Sequence, residues 1–296
     1  MITKWRASGP FTASSALFSG LLDETRLFLW TYAEQRGTVA KRVETTKQLL
    51  IEGRLPQRSR ASRASIVSRI SMRLTSWHPP TWVLDDLATF AGRTSPASLQ
   101  AALLVHVCRQ DPPLYALVQE LVLPRWHGDD HAMVTMDVQR FLMRPPAHPE
   151  VRTWTGTTRA RFCGMALTIF RDYGLLEGTS RKTIVAPDVP TEVAAHVSRL
   201  LEAEGVSHRD VAAHPDWRLW LGMKPRHSAL TELVVSQHIL TYIPRRNFGT
   251  CASGGPRKTS LLDPAIFHLH QHSPAGLRPG GDRLRGRTSP PVGRAR

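Results

Sequence analysis

Apolar positions recur along most of the chain at helical spacing, and they set the first expectations. Leu17, Leu21, Phe28 and Tyr32 follow that spacing, and Phe18, Leu22 and Leu29 widen the stripe, so a helix is predicted from Ser14 to Gln35. Gly37 ends it, and a second helix is expected over Thr38 to Ile51 before Gly53 and Pro56 break the chain. A third helix is expected over Ser59 to Ser76. Ile66, Val67, Ile70 and Leu74 share one stripe of it, while Ser62, Ser65, Arg69 and Arg73 share another face. After Pro79 and Pro80, helices over 81–92, 96–109 and 113–123 are rich in Leu, Ala and Val and read as the central core. The stretch 124–134, with Pro124, Gly128 and the Asp129-Asp130 pair, reads as a loop. A short helix from Asp137 to Met143 then ends at Pro145-Pro146.

The pattern changes between 149 and 189. Thr155, Thr157 and Thr158 are candidate caps for a helix whose stripe is Phe162, Met165, Ala166, Ile169, Phe170 and Tyr173. Gly174 suits the position just past its end. Leu175-Leu176, a polar run from Glu177 to Lys182, and Thr183 to Val185 then predict a short β-hairpin. A helix closed by glycine and followed by a hairpin is how a winged helix ends. Helices near 190–204, 207–213 and 227–242 follow. The Gly-, Pro- and Arg-rich tail from Pro244 is expected to be disordered. The fold class is therefore mainly α and multi-helical. Its N-terminal and central parts are helix-turn-helix or winged-helix-like, with a hairpin wing. The expected regions are 1–78, a basic helix-turn-helix-like part; 79–148, a helical core; 149–243, a winged-helix-like part; and 244–296, the tail.

Charge gives this pattern a direction. The chain of 296 residues carries a net charge of +15, which favours a polyanionic partner. Residues 36–73 hold ten Lys or Arg against Glu44 and Glu52, and residues 244–296 hold ten against Asp263 and Asp282, so the remainder is nearly neutral. An amphipathic helix can dock its apolar stripe on a core and turn Arg and Ser outward, where they suit phosphates, and Arg also suits guanine edges. Arg54, Arg58, Arg60, Ser62, Arg63, Ser65, Arg69 and Arg73 are the candidates, with Arg58, Arg60 and Arg63 near a helix N-terminus that itself favours phosphate. A second group is Arg159 and Arg161 early in the later helix, with Arg181 and Lys182 at the wing. The plain alternative, a solvated face with salt bridges, has few acids nearby to draw on.

Other chemistry is sparse. Cys108, Cys163 and Cys251 are far apart and form no CxxC pair, which fits a reducing, cytoplasmic setting and supports neither a disulfide framework nor a cysteine-built zinc site. No apolar run approaches the roughly 20 residues a membrane span needs. His127-Gly-Asp-Asp-His131 reads as a polar turn before a metal site, and the alternating His268, His270 and His272 lie in the tail. P-loop, dinucleotide-binding, nucleophile-elbow and zincin motifs are missing from the sequence. Trp77, Trp82, Trp154, Trp217 and Trp220 read as core or interface anchors. A non-enzymatic protein without cofactor or metal is expected.

The order of several short motifs resembles the BrxA family of bacteriophage exclusion (BREX) systems. These are Phe11-Thr-Ala-Ser with Gly20-Leu-Leu-Asp-Glu24, Leu49-Leu50, Arg58-Ser-Arg-Ala-Ser-Arg63, and Arg73-Leu74. Trp154, Thr158 and Tyr173-Gly-Leu-Leu176 follow, so that the resemblance covers about residues 8–235. It implies a mainly helical protein that binds double-stranded DNA beside other defence components, including a methyltransferase, an ATPase and a phosphatase-like protein. A likeness of the family to the antitermination factor NusB keeps RNA as an alternative partner, and a scaffold bridging defence components is another. Family members are often labelled inner-membrane proteins; the hydropathy here argues against insertion.

Overall fold

A computed structural model describes residues 9–13, 19–145 and 148–222. The expected helix at 227–242 and the tail lie outside the described residues. Within them the chain is mainly helical, with one small antiparallel sheet.

The N-terminal helices follow the periodicity, with one correction. Helix α1 (Leu22–Glu34) begins later than Ser14: Ser19–Leu21 is not helical, and Leu21 takes a left-handed conformation with φ 55°. Residues 14–18 lie outside the described set. The cause is tertiary. Gly20 N donates to Asp172 Oδ2 (3.1 Å), and Gly20 O accepts from Arg73 Nη1 (2.9 Å) and the Tyr173 hydroxyl (2.6 Å), so the peptide's polar groups are used between elements rather than along a helix. A β-carbon on Gly20 would lie 2.7 Å from both Cβ and Oδ2 of Asp172. Gly20→Ala should therefore lower the unfolding free energy by about 2 kcal/mol, read as a shift of the urea midpoint. An unchanged midpoint would show that this clasp is dispensable.

Thr38 caps α2 (Val39–Leu49), its side chain accepting from Lys41 N, and a π-helical turn over Leu50–Arg54 continues it. Ser59 caps α3 (Arg60–Thr75) by accepting from Ser62 N. Helix α4 (Thr81–Ala91) packs on α1, and the almost wholly buried α5 (Ala97–Gln110) runs through the core. Helix α6 (Pro112–Leu117) then passes through a π-helical turn into α7 (Leu123–Trp126), so 124–126 is helical where a loop was expected. The π turn releases the backbone bond that Pro124 cannot make.

The second correction is a strand. Ala132–Met133 forms β1, which precedes α8 (Thr135–Met143) and the short α9 (Pro149–Thr153). Helix α10 (Gly156–Asp172) is capped by Thr155 and closed by Gly174 at φ 75°. The expected hairpin follows as β2 (Leu176–Glu177) and β3 (Lys182–Ile184). Strand β1 adds antiparallel to β3, with Met133 opposite Lys182, giving the order β1-β3-β2. Gly178 is required in the hairpin turn: its φ is 92°, and a β-carbon there would sit 2.1 Å from the Arg181 carbonyl oxygen.

Helix α11 (Thr191–Ala203), α12 (His208–Val211) and a 3-10 segment (Pro215–Trp220) complete the described chain. Buried residues from Phe11 to Leu221 form one connected core, with Trp77, Trp217 and Trp220 inside it and Trp82 and Trp154 packed against it. These tryptophans are anchors, as expected. Trp30, by contrast, is 46% exposed, its indole held by Ala91 O at 2.9 Å.

A buried polar chain links α4, α11 and α5. Asp86 Oδ2 lies 2.9 Å from His196 Nδ1, and His196 Nε2 lies 2.9 Å from His106 Nε2. The arrangement is satisfied when both rings are neutral, with Asp86 accepting from His196 Nδ1–H and His196 Nε2 accepting from His106 Nε2–H. Burial first, then His196 and Arg109, hold His106 well below the ordinary histidine value of 6.5. The unfolded chain therefore takes up this proton first. The contribution is complete above about pH 6.5 and is lost progressively below it, by about 1.4 kcal/mol per pH unit. Denaturant unfolding of the native chain and of His106→Asn at pH 7.5 and pH 5.5 should show the larger acid loss in the native chain. Equal losses would contradict the assignment.

Candidate nucleic-acid interface

Helix α3 is the leading candidate from the sequence, and its apolar stripe is placed as expected: Ile66, Val67, Ile70 and Leu74 are all buried. The opposite line of residues changes character along the helix. Ser62 and Ser65 are exposed, Arg69 is half-buried and Arg73 is only 7% exposed. Their angular positions coincide, but the C-terminal half of the helix is covered by the Ser19–Leu21 segment. Arg73 therefore does not face outward: its guanidinium donates to Gly20 O, Ser19 O and the Tyr173 hydroxyl. Burial first, and the Arg73 charge second, lower the pKa of Arg69.

Other cations of the basic segment are also held internally. Arg63 Nε donates to Ile51 O (2.7 Å), and its Nη1 donates to Gln57 O (2.7 Å) and Arg58 O (3.0 Å), bracing the turn before α3. Arg54 pairs with Glu34 and donates to Thr31 Oγ1 (3.1 Å). Arg42 pairs with Asp85 at 2.8 Å and lies over the Tyr32 ring at 3.8 Å. The acids Glu34 and Asp85 come from outside the segment, which is why sequence counting showed few partners. Burial, with Asp85 second, pushes the Tyr32 hydroxyl up to about 12. Arg58 and Arg60, at the start of α3, are exposed, and no described residue accepts a hydrogen bond from either side chain.

The second group divides in the same way. Phe162, Cys163, Ala166, Leu167, Ile169 and Phe170 of α10 are buried, which turns Thr157, Ala160 and Arg161 outward. Arg161 is exposed and holds no acceptor among the described residues, whereas Arg159 Nη1 turns back to Trp154 O at 2.5 Å. At the hairpin, Arg181 is exposed and Lys182 Nζ donates to Thr179 O at 2.9 Å. Arg152 in α9 is also exposed and was missed in the sequence, where a lone Arg between Val151 and Thr153 carries no signal.

The His127–His131 stretch forms a braced turn. His131 Nε2 bonds Gly128 O (3.0 Å), its ring stacks on Trp126, and Asp130 Oδ1 accepts from Ala132 N. Among the described residues no cluster of three or more His, Cys, Asp or Glu could hold a metal ion.

The described residues thus define a mainly helical protein carrying a three-stranded sheet and two sets of outward cations, with no helix among them long and apolar enough to cross a membrane. The BrxA family model matches residues 11–200, and the chain belongs to the BrxA family. Membership implies a component of a BREX phage-defence system. Comparison with curated proteins gives no match.

Proposed function

We propose that the chain is a non-enzymatic, duplex-DNA-binding component of a BREX system. The observation that carries this reading is the order β1-α8-α9-α10-β2-β3 with sheet order β1-β3-β2. In a winged helix, a strand between the first two helices pairs with the hairpin that follows the recognition helix. By that analogy α10 is the recognition helix and the 177–182 turn is the wing. Arg161 on the outward face of α10 and Arg181 on the wing are then the phosphate contacts. Arg58 and Arg60, beside the open backbone N–H groups of the α3 N-terminus, form a second contact set. Arg73 and Arg63 act within the protein.

Fluorescence anisotropy with duplex DNA, single-stranded DNA and RNA of equal length tests the reading. Tightest binding to duplex is expected; preference for RNA would favour a NusB-like role. The same measurement on a chain ending at residue 243, which keeps a net charge of +7, should retain duplex binding. Loss of binding would move the function to the tail.

One observation favours the scaffold alternative. Val134, Met136 and Met143 are each 45–50% exposed at or on α8, and exposed apolar groups of this size suit a protein partner. Recovery of defence components from nuclease-treated extract, with no duplex affinity, would establish that alternative.

A further inference from the structure

Of the five large apolar side chains that stand exposed among the described residues, three lie at or on α8: Val134, Met136 and Met143. The helix packs on α10, and its buried residues are Asp137, Val138 and Leu142. At about 100° per residue, Met136, Gln139, Arg140 and Met143 fall together on the opposite side. All four are exposed, as are Val134 just before the helix and Pro145 just after it.

This stripe reads the same in both directions. Its order is Met-x-x-Gln-Arg-x-x-Met, symmetric about the midpoint between Gln139 and Arg140, and Val134 and Pro145 extend the symmetry. Charge is opposite at its two ends. Asp129 and Asp130 are exposed, and Asp130 lies 3.7 Å from Arg125, which pairs at 2.7 Å with Asp137 in the first turn of α8. These acids therefore sit at the N-terminal end of the helix. At its C-terminal end Arg144 is exposed although it pairs with Glu120.

We propose that this stripe is the interface between two copies of the chain, packed α8 against α8, antiparallel about a two-fold axis between Gln139 and Arg140. A two-fold contact requires a surface complementary to itself, a symmetry that a different protein partner would not require. In this register Met136 meets Met143 of the second copy, Val134 meets Pro145, and Gln139 Oε1 accepts from the Arg140 guanidinium. Asp137 lies 3.7 Å from Arg140 within each copy, which compensates the two guanidiniums near the axis. The Asp129–Asp130 end of each copy approaches Arg144 of the other. Three half-exposed apolar side chains per copy fall well short of the roughly 800 Å² per partner of a standard interface, so the pair is weak, with a Kd on the order of 100 μM. The pairing uses the side of α8 away from α10 and does not depend on DNA binding.

Sedimentation equilibrium of the full chain, freed of nucleic acid and taken to about 500 μM, tests the pairing. Met136→Glu and Met143→Lys each put a charge into an apolar contact. Both residues are exposed, and each new charge suits its end of the helix dipole, acid in the first turn and base in the last, so the melting temperature should not fall. Each single variant should raise the dimer Kd about tenfold or more. The double variant should recover to within about threefold of the native chain, because in the antiparallel register each new acid faces a new base across the axis. The proposal is overturned if the native chain stays monomeric, if either single variant associates as the native chain does, or if the double variant does not recover.

Discussion

Replacing Arg73 by Met should lower the unfolding free energy by about 3 kcal/mol, while the folded variant binds duplex DNA as tightly as the native chain. Met keeps an unbranched stem but removes the fork that reaches Ser19 O, Gly20 O and Tyr173 Oη. Hydrogen bonds from a charged group are each worth about 1.5–3 kcal/mol, and the acceptors left behind lose a partner in a buried place. Arg73→Lys should recover only part of the loss, because an ammonium lacks the planar fork that reaches the two adjacent carbonyls and the Tyr173 hydroxyl at once. Urea unfolding gives the stability, and anisotropy below the midpoint gives the affinity. A stable Arg73→Met that no longer binds DNA would return this residue to the interface.

Charge reversal on α10 and the β2–β3 hairpin should give the complementary result. Arg161→Glu with Arg181→Glu is expected to leave stability within about 0.5 kcal/mol, since both side chains are exposed and neither holds an acceptor among the described residues. Duplex affinity should fall by well over tenfold, because two attractive phosphate contacts become repulsive. The loss should be similar for all sequences if the two residues touch phosphate alone. If Arg161 also reads a base edge, one group of sequences should lose more than the others. Undiminished affinity in this double variant would leave Arg58 and Arg60, or the tail, as the source of binding.

Part of this arrangement can be read from the sequence. Periodicity placed Ile66, Val67, Ile70 and Leu74 on the buried side of α3, and Gly174 with the following Leu pair announced the hairpin. Periodicity also put Ser62, Ser65, Arg69 and Arg73 on one line, and they do share one. It says nothing of what covers that line, and Ser19–Leu21 covers its lower half. Strand β1 escaped notice because two residues, Ala132 and Met133, are too short to alternate and gain their hydrogen bonds from a hairpin fifty residues away. The helical start of 124–126 was hidden by Pro124, whose local rule is overridden by the widened turn before it. The Asp86–His196–His106 chain joins three helices, and no spacing encodes it. Several residues that carried the family resemblance, Gly20, Arg63, Arg73 and Tyr173, turn out to hold segments together. Gly20, Arg73 and Tyr173 clasp the N-terminal segment to α3 and α10, and Arg63 braces the turn before α3.

On the proposed function, exposed cations of the folded part bind duplex DNA through its phosphates. The most direct test is the affinity of the native chain for a duplex across a salt series, beside a variant with Arg58, Arg60, Arg161 and Arg181 all replaced by Ala. The native chain should give a linear fall of log K with log salt, and the variant a slope shallower by about 0.9 for each phosphate contact removed. A native affinity that is absent or indifferent to salt, or a variant with the native slope, would rule out phosphate binding by these four cations.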